Sequence, residues 1–232
     1  MKTLEKLQAR CLRKIVNAPS CTATSFIHLE FGVEPIRYII QRNNLMFLHH
    51  IVHLEEDDPV KFMWENMKVL EEEANWWSSV KVLMKKYEIN LKDVEENSRE
   101  SFKNLVKGKI MKLVHKELTD ECRSKKKTST LTFPAFETQD YLNHLYPNQA
   151  RIVFQCRSKT LDIKDHRSYK YKDTLCRKCG IENETVQHIT NCGQSDIVDT
   201  AIIYQLGSLT YDTKIKLATI TKRIHNFLEE VR

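Results

Sequence analysis

Apolar residues recur at three- and four-residue steps along most of this chain, a spacing that predicts helices. Leu4, Leu7, Cys11, Leu12 and Ile15 mark the first, over 4–16, with Lys2, Lys6, Arg10, Arg13 and Lys14 on its remaining surface. Asn17-Ala18-Pro19-Ser20 breaks it. A short helix is expected over 24–31. Gly32-Val33-Glu34-Pro35 then makes a turn, with Pro35 well placed at the start of a helix over 36–53. Asp57-Asp58-Pro59 separates that unit from a helix running through Trp64 to residue 73. Asn75 can cap a helix carrying Trp76, Trp77, Val80, Leu83, Met84 and Tyr87. A longer one, over 98–121, carries Phe102, Leu105, Val106, Ile110, Leu113 and Val114, with lysines around the stripe. Further helices are expected after Pro147 to residue 159, over 196–206 and over 214–230. No stretch alternates long enough to demand a large sheet. The expected fold is mainly α: a helical N-terminal bundle over 1–123, a basic linker over 124–134, and a helical region over 135–232. That last region contains a small zinc-knuckle module flanked by helices.

Composition sharpens this picture in three ways. Five glycines and five prolines are few for 232 residues, which favours long helices over many turns. No apolar run is long enough for a membrane helix, and the opening Met-Lys-Thr-Leu-Glu-Lys is too polar for a secretory signal. Seven cysteines, an odd number, fit a reducing intracellular compartment better than a disulfide framework. The net charge of +6 permits nucleic-acid binding without requiring it.

The most specific chemistry lies at Cys176, Cys179, His188 and Cys192. Thiolates and a neutral imidazole are zinc ligands, and four of them close a tetrahedral shell with no open position. Such a shell predicts a structural zinc rather than a catalytic one. Cys176 and Cys179 have the spacing of a tight knuckle, and Gly180 follows where a left-handed backbone is easiest for glycine. His188 and Cys192 share a face if the segment is helical. Asn183 is the expected cap of that helix, Glu184 a favourable first-turn acid, and Gly193 its terminal glycine. Cys156 is a conceivable spare ligand, but reads better as an ordinary thiol, like Cys11, Cys21 and Cys122.

Other candidates carry blander readings. Lys164, His166, Arg167, Tyr169, Lys170, Tyr171 and Lys172 interleave charge with aromatic faces. Lys164, Arg167, Lys170 and Lys172 could neutralise phosphates while Tyr169 and Tyr171 stack on bases; the alternative is a solvated loop. His49 and His53 would share a helix face beside His50, but no carboxylate or cysteine completes a metal set, so a solvated face is the better reading. Trp64, Trp76 and Trp77 sit among Met63, Met67, Val80 and Leu83, which favours core over base stacking. Glu71-Glu72-Glu73 reads as a solvated helix end rather than acid chemistry.

The zinc stretch, including Glu184-Thr185-Val186-Gln187-His188-Ile189, resembles the zinc-binding region downstream of the reverse transcriptases of non-LTR retrotransposons. So do Ala150-Arg151-Ile152-Val153-Phe154-Gln155, Leu161-Asp162-Ile163-Lys164 and Tyr171-Lys172-Asp173 before it. At the other end, the segment from Leu4 to Ile15 is similar to the helix that follows the polymerase palm. Pro35-Ile36-Arg37-Tyr38 and the stretch from Leu45 to Ile51 resemble what comes next. The resemblance runs discontinuously from Leu4 to Cys192. It implies a thumb-like region over 1–123 and a partner that is DNA or RNA. The gap between His188 and Cys192 is one residue shorter than in many members of that family.

The family's engines are not expected here. A polymerase needs paired aspartates in a strand turn to hold two divalent metals. The one Asp-Asp pair, Asp57-Asp58, sits between Glu56 and Pro59 in a helix-to-helix turn. No nuclease motif follows the zinc module. The sequence thus predicts a non-catalytic, retroelement-derived nucleic-acid-binding protein with one structural zinc. The alternatives are a helical protein-interaction module, with Trp76 and Trp77 lining an apolar groove, or a translated remnant without retained activity.

Overall fold

The computed structural model describes residues 2–69, 75–205 and 209–231. Among these there are eleven α-helices and no strand, so the fold is mainly α as expected. Glu71-Glu72-Glu73, and the ends of the helices expected to reach residues 73 and 206, lie outside the described residues. No helix among the described residues is long and apolar enough to cross a membrane.

By packing, the chain forms two units: Met1–Glu5 with Glu34–Lys116, and Lys6–Val33 with Glu117–Arg232. The expectation drew its boundary instead at 124–134. That stretch is not a bare tether, because Thr128, Leu131 and Phe133 within it are buried. Thr128 Oγ1 donates to the Cys122 carbonyl at 2.9 Å, and Lys127 Nζ donates to the Lys159 carbonyl at 3.0 Å.

The first unit is built from α3 (Ile36–Val52), α4 (Pro59–Val69), α5 (Trp76–Lys86), α6 (Leu91–Glu96) and the first part of α7 (Arg99–Ser124). Asn75 caps α5 as expected, accepting the Ser78 N–H at 2.8 Å. Asp58 does the same for α4 through the Val60 N–H at 2.7 Å, a turn role that accounts for this member of the Asp-Asp pair. α6 was not anticipated; Asn90 and Asp93 cap it reciprocally, and its six residues are too few for a clear period. Trp64 and Trp77 are buried edge-to-face, ring centroids 5.9 Å apart, in keeping with core tryptophans. Trp76 meets Phe47 at 5.4 Å.

The solvated reading of the histidines needs correcting for one of them. His49 is buried and stacks between Phe102 and His53. Its Nε2 lies 2.9 Å from the Asn97 carbonyl, so that nitrogen must carry the hydrogen. The helical spacing shows neighbours on the same helix but not what packs across them.

The second unit comprises α1 (Lys2–Ile15) from Lys6 onward, α2 (Thr24–Phe31), the last part of α7, α8 (Asp140–His144), α9 (Pro147–Arg157), α10 (Val186–Asn191), a single 3₁₀ turn (Ala201–Ile203) and α11 (Tyr211–Glu230). α9 and α10 both pack on α11. The apolar centre joins Phe26 to Phe154 at 5.1 Å and to Phe133 at 6.2 Å. α1 departs from its expected packing. Leu4, Leu7, Cys11 and Ile15 are exposed, while Ala9, Leu12 and Val16 are buried. Of the expected stripe only Leu12 is buried.

Two long-range ties fix α2. Its carboxyl end turns through Gly32 (φ +59°), where an added Cβ would lie 2.4 Å from the Glu137 carbonyl carbon. Only glycine suits both the left-handed backbone and that crossing. In addition, Glu30 and Arg157 form an ion pair with both side chains fully buried. Arg157 Nε donates to Glu30 Oε1 at 2.8 Å and Nη1 donates to the Ile203 carbonyl at 2.8 Å. Nη2 also sits 2.8 Å from Glu30 Oε1, as an ion contact without hydrogen-bond alignment. The Tyr141 hydroxyl donates to the other carboxylate oxygen, and burial, reinforced by Glu30, pushes that phenol well above its usual range. Both charges are thus met by an opposite charge and by hydrogen bonds, with Arg157 Nη2 the one guanidinium nitrogen left with an ion contact alone, and that pairing is the condition for tolerating such charges inside.

Candidate metal centre

Residues 174–184 fold back on themselves. The Cys176 N–H donates to the Glu182 carbonyl at 2.7 Å, and the Glu184 N–H to the Thr174 carbonyl at 2.8 Å. Between these bonds Gly180 takes φ +67°, as its place after Cys179 predicted, and its N–H returns to the Cys176 carbonyl at 2.8 Å. This turns the two cysteines toward one point. α10 then brings His188 round, and Cys192 follows at its end.

The cap of α10 is a correction. Thr185, not Asn183, accepts the His188 N–H, at 3.1 Å. Asn183 instead accepts from Thr174 Oγ1 at 2.6 Å, across the fold-back. Gly193 has φ +72° just past the helix, where a terminal glycine was expected.

The four predicted ligand atoms converge: Cys176, Cys179, His188 and Cys192 place them all within 4.8 Å of one another. Cys176 and Cys192 sulfurs are 4.0 Å apart, and Cys179 Sγ is 3.3 Å from His188 Nε2. A tetrahedral ion with metal–sulfur bonds of about 2.3 Å would set sulfurs about 3.8 Å apart. The donor set therefore fits a four-coordinate metal ion. Cys176 and Cys192 are buried and the other two half-buried. Cys156 is fully buried in α9 and does not join the cluster; burial pushes its thiol far up.

The surroundings prepare the ligands unequally. Backbone N–H groups of Ile181 and Glu182 lower the Cys179 thiol to about 6, so it is the readiest thiolate. Burial pushes Cys192 up to about 12. His188 Nδ1 lies 3.1 Å from Glu182 Oε2, which leaves Nε2 facing the sulfurs. A carboxylate behind a ligating imidazole fixes the tautomer and raises ligand basicity.

Glu184 is the residue that sequence reasoning undervalued. It is not a first-turn acid facing water but a wholly buried clamp. Its carboxylate accepts the Lys164 N–H at 3.1 Å and the Arg177 N–H at 2.8 Å, while Arg177 Nη2 donates to it at 2.8 Å. Arg177 lies between the paired cysteines, so this clamp holds the knuckle to the preceding segment. The signal was present as an acid seven residues from a basic residue inside the Cys pair, but nothing local says the two meet.

The basic-aromatic run is largely engaged with itself. Lys164 is buried, its Nζ 2.5 Å from Asp173 Oδ1. Arg167 donates to the Thr160 carbonyl at 3.0 Å, and both Arg167 and Lys170 approach Asp162, at 3.5 and 3.6 Å. Tyr171 lies within cation–π reach of Lys164 and Arg177. Tyr169 and Lys172 are exposed, and Lys172 has no ion-pair partner among the described residues. Comparison with protein families, curated proteins and solved structures gave no match to this chain.

Proposed function

We propose that the chain is a non-catalytic nucleic-acid-binding protein organised around one structural zinc, as its resemblance to the zinc region of non-LTR retrotransposon reverse transcriptases implies. The observation that carries this is the convergence of Cys176, Cys179, His188 and Cys192 within 4.8 Å. Three thiolates and an imidazole favour zinc over harder cations, and four protein ligands leave no position for a substrate. A net charge of +6 supports an anionic partner. The alternative reading, a protein-interaction module, draws support from the exposed Leu7, Cys11 and Ile15 of α1 in the second unit rather than from the tryptophans.

The test is binding of labelled single- and double-stranded oligonucleotides to zinc-loaded and chelated protein across a salt series. The expected result is affinity that falls linearly on a log–log salt plot and is lost on chelation, because the module folds with its metal. Absent or salt-independent binding by zinc-loaded protein would sink the proposal.

A further inference from the structure

A cleft of about 360 Å³ opens between α11 and the knuckle. Its floor is apolar, including Ile189 and Phe227, both buried. Its walls carry Lys178 from the knuckle and Lys222, Arg223 and Asn226 from one face of α11. Within the second unit, this brings three cations and an amide together around a concavity beside the candidate metal centre.

The cations differ in how they are held. Arg223 donates to the Asp196 carbonyl at 3.0 Å and to its carboxylate at 2.6 Å, which uses two of its five donors and fixes the guanidinium in place. Lys178 Nζ meets Glu230 Oε2 at 2.7 Å. Lys222 is exposed and has no ion-pair partner among the described residues. Glu230 lines the cleft and is half exposed, and Asp196, which holds Arg223, is more exposed still. Ion pairs of that kind are worth little in water, so one carboxylate can give way to another anion at small cost.

We infer that this cleft is a phosphate subsite that receives one phosphodiester of a bound nucleic-acid strand, with Lys178, Lys222, Arg223 and Asn226 as donors. Charge selects the diester. Three cations face two carboxylates, and a metal held by three thiolates and a neutral imidazole adds one net negative charge behind Cys192. A single negative charge that replaces Glu230 beside Lys178 leaves the balance unchanged and gains Lys222; a phosphomonoester dianion would overfill it. Asn226 adds a neutral donor, and the apolar floor keeps bulk water from one side of the phosphate.

This inference rests on the nucleic-acid reading, and the experiment separates the two. Oligonucleotide affinity is measured by fluorescence anisotropy on the full zinc-loaded chain. The variants are Lys222→Glu, Glu230→Gln and a loop variant with Arg167, Lys170 and Lys172 changed to Ala. Lys222→Glu should weaken binding roughly tenfold and flatten the salt slope by about one. Glu230→Gln should strengthen binding, since it removes the competing carboxylate, and the loop variant should bind within about twofold of the parent. Both single substitutions are at exposed positions, and unchanged zinc content and circular dichroism would verify their fold. Unaltered affinity in both Lys222→Glu and Glu230→Gln overturns the subsite while leaving nucleic-acid binding standing. Absence of binding by the parent overturns both. Competition by inorganic phosphate beyond that of chloride at matched ionic strength would mark a free-phosphate site and overturn the diester assignment.

Discussion

The knuckle around Cys176 and the aromatic centre around Phe26 belong to the same unit but hold their backbones by opposite means. Around Phe26, aromatic rings fill the space and a single buried ion pair, Glu30 with Arg157, ties α2 to α9. Around Cys176 the buried apolar side chains are fewer, Val186 and Ile189 of α10 against α11, and no aromatic pair is among them. The segment from Thr174 to Gly193 relies on a fold-back of backbone hydrogen bonds, the Glu184 clamp and four converging ligands. Burial of apolar area scales with size, so the 174–185 loop, which lacks buried apolar side chains other than Cys176, depends on other means. A metal ion held by these four residues would supply in one point what the aromatic centre spreads over many side chains.

Removing a ligand should break that comparison most sharply. Cys179→Ser should abolish stoichiometric zinc by mass spectrometry. It should also expose amides of the 174–193 segment to fast hydrogen exchange while those of α2 and α9 stay protected. Structural zinc contributes on the order of 10 kcal/mol in isolated modules, far more than the knuckle's own hydrogen bonds. A full zinc complement in the variant would show that the metal sits elsewhere.

The second test acts from the other side. Glu30→Ala leaves the Arg157 guanidinium buried without its counter-charge and should cost about 3–5 kcal/mol in denaturant titration. Zinc content should remain at the parent's level if the knuckle is held independently. Metal loss in step with unfolding would show that the two regions share one cooperative transition.

The smallest expected effect is a pH dependence from the segment between α9 and the knuckle. His166 is buried, and burial, with Lys159, Lys127 and Arg167 nearby, lowers it from 6.5 to about 3. As pH falls below 6.5, the unfolded chain takes up this proton before the folded one, so the stability from keeping His166 neutral is lost progressively toward pH 3. The loss should reach about 2 kcal/mol by pH 5. His166→Gln should decline less steeply over that window in parallel denaturant titrations. Zinc release at acid pH is common to both proteins and drops out of the difference. Equal slopes would refute the assignment.

The candidate metal centre was legible because its chemistry is written in spacing: a Cys pair three positions apart, then a His and Cys four apart. Helix starts marked by Asn75 and Pro147 were legible for the same reason, since caps are local. What escaped was set by residues far apart in the chain. The pairing of Glu30 with Arg157, the crossing of Gly32 over residues 137–138, and the burial of His49 under Phe102 have no short-range signature. α1 shows a subtler failure. Its large apolar side chains defined a stripe, yet of these only Leu12 is buried, alongside Ala9 and Val16, because the period of a helix does not say which part of an apolar face meets a neighbour. Glu184 escaped because a solvated helix acid and a buried clamp look alike in sequence.

The way the chain is divided also sets a timetable. Glu34–Lys116 is nearly all of one unit, while Lys6–Val33 belongs with residues that begin at Glu117. On a ribosome adding about 5–20 residues per second, α2 therefore waits roughly 5–20 s for the partners of Gly32 and Glu30 to be made. Throughout that interval α1 is the one other helix of their unit already made, while Phe133 and Phe154, which meet Phe26 in the finished protein, are still to come. The segment is thus early made and late packed.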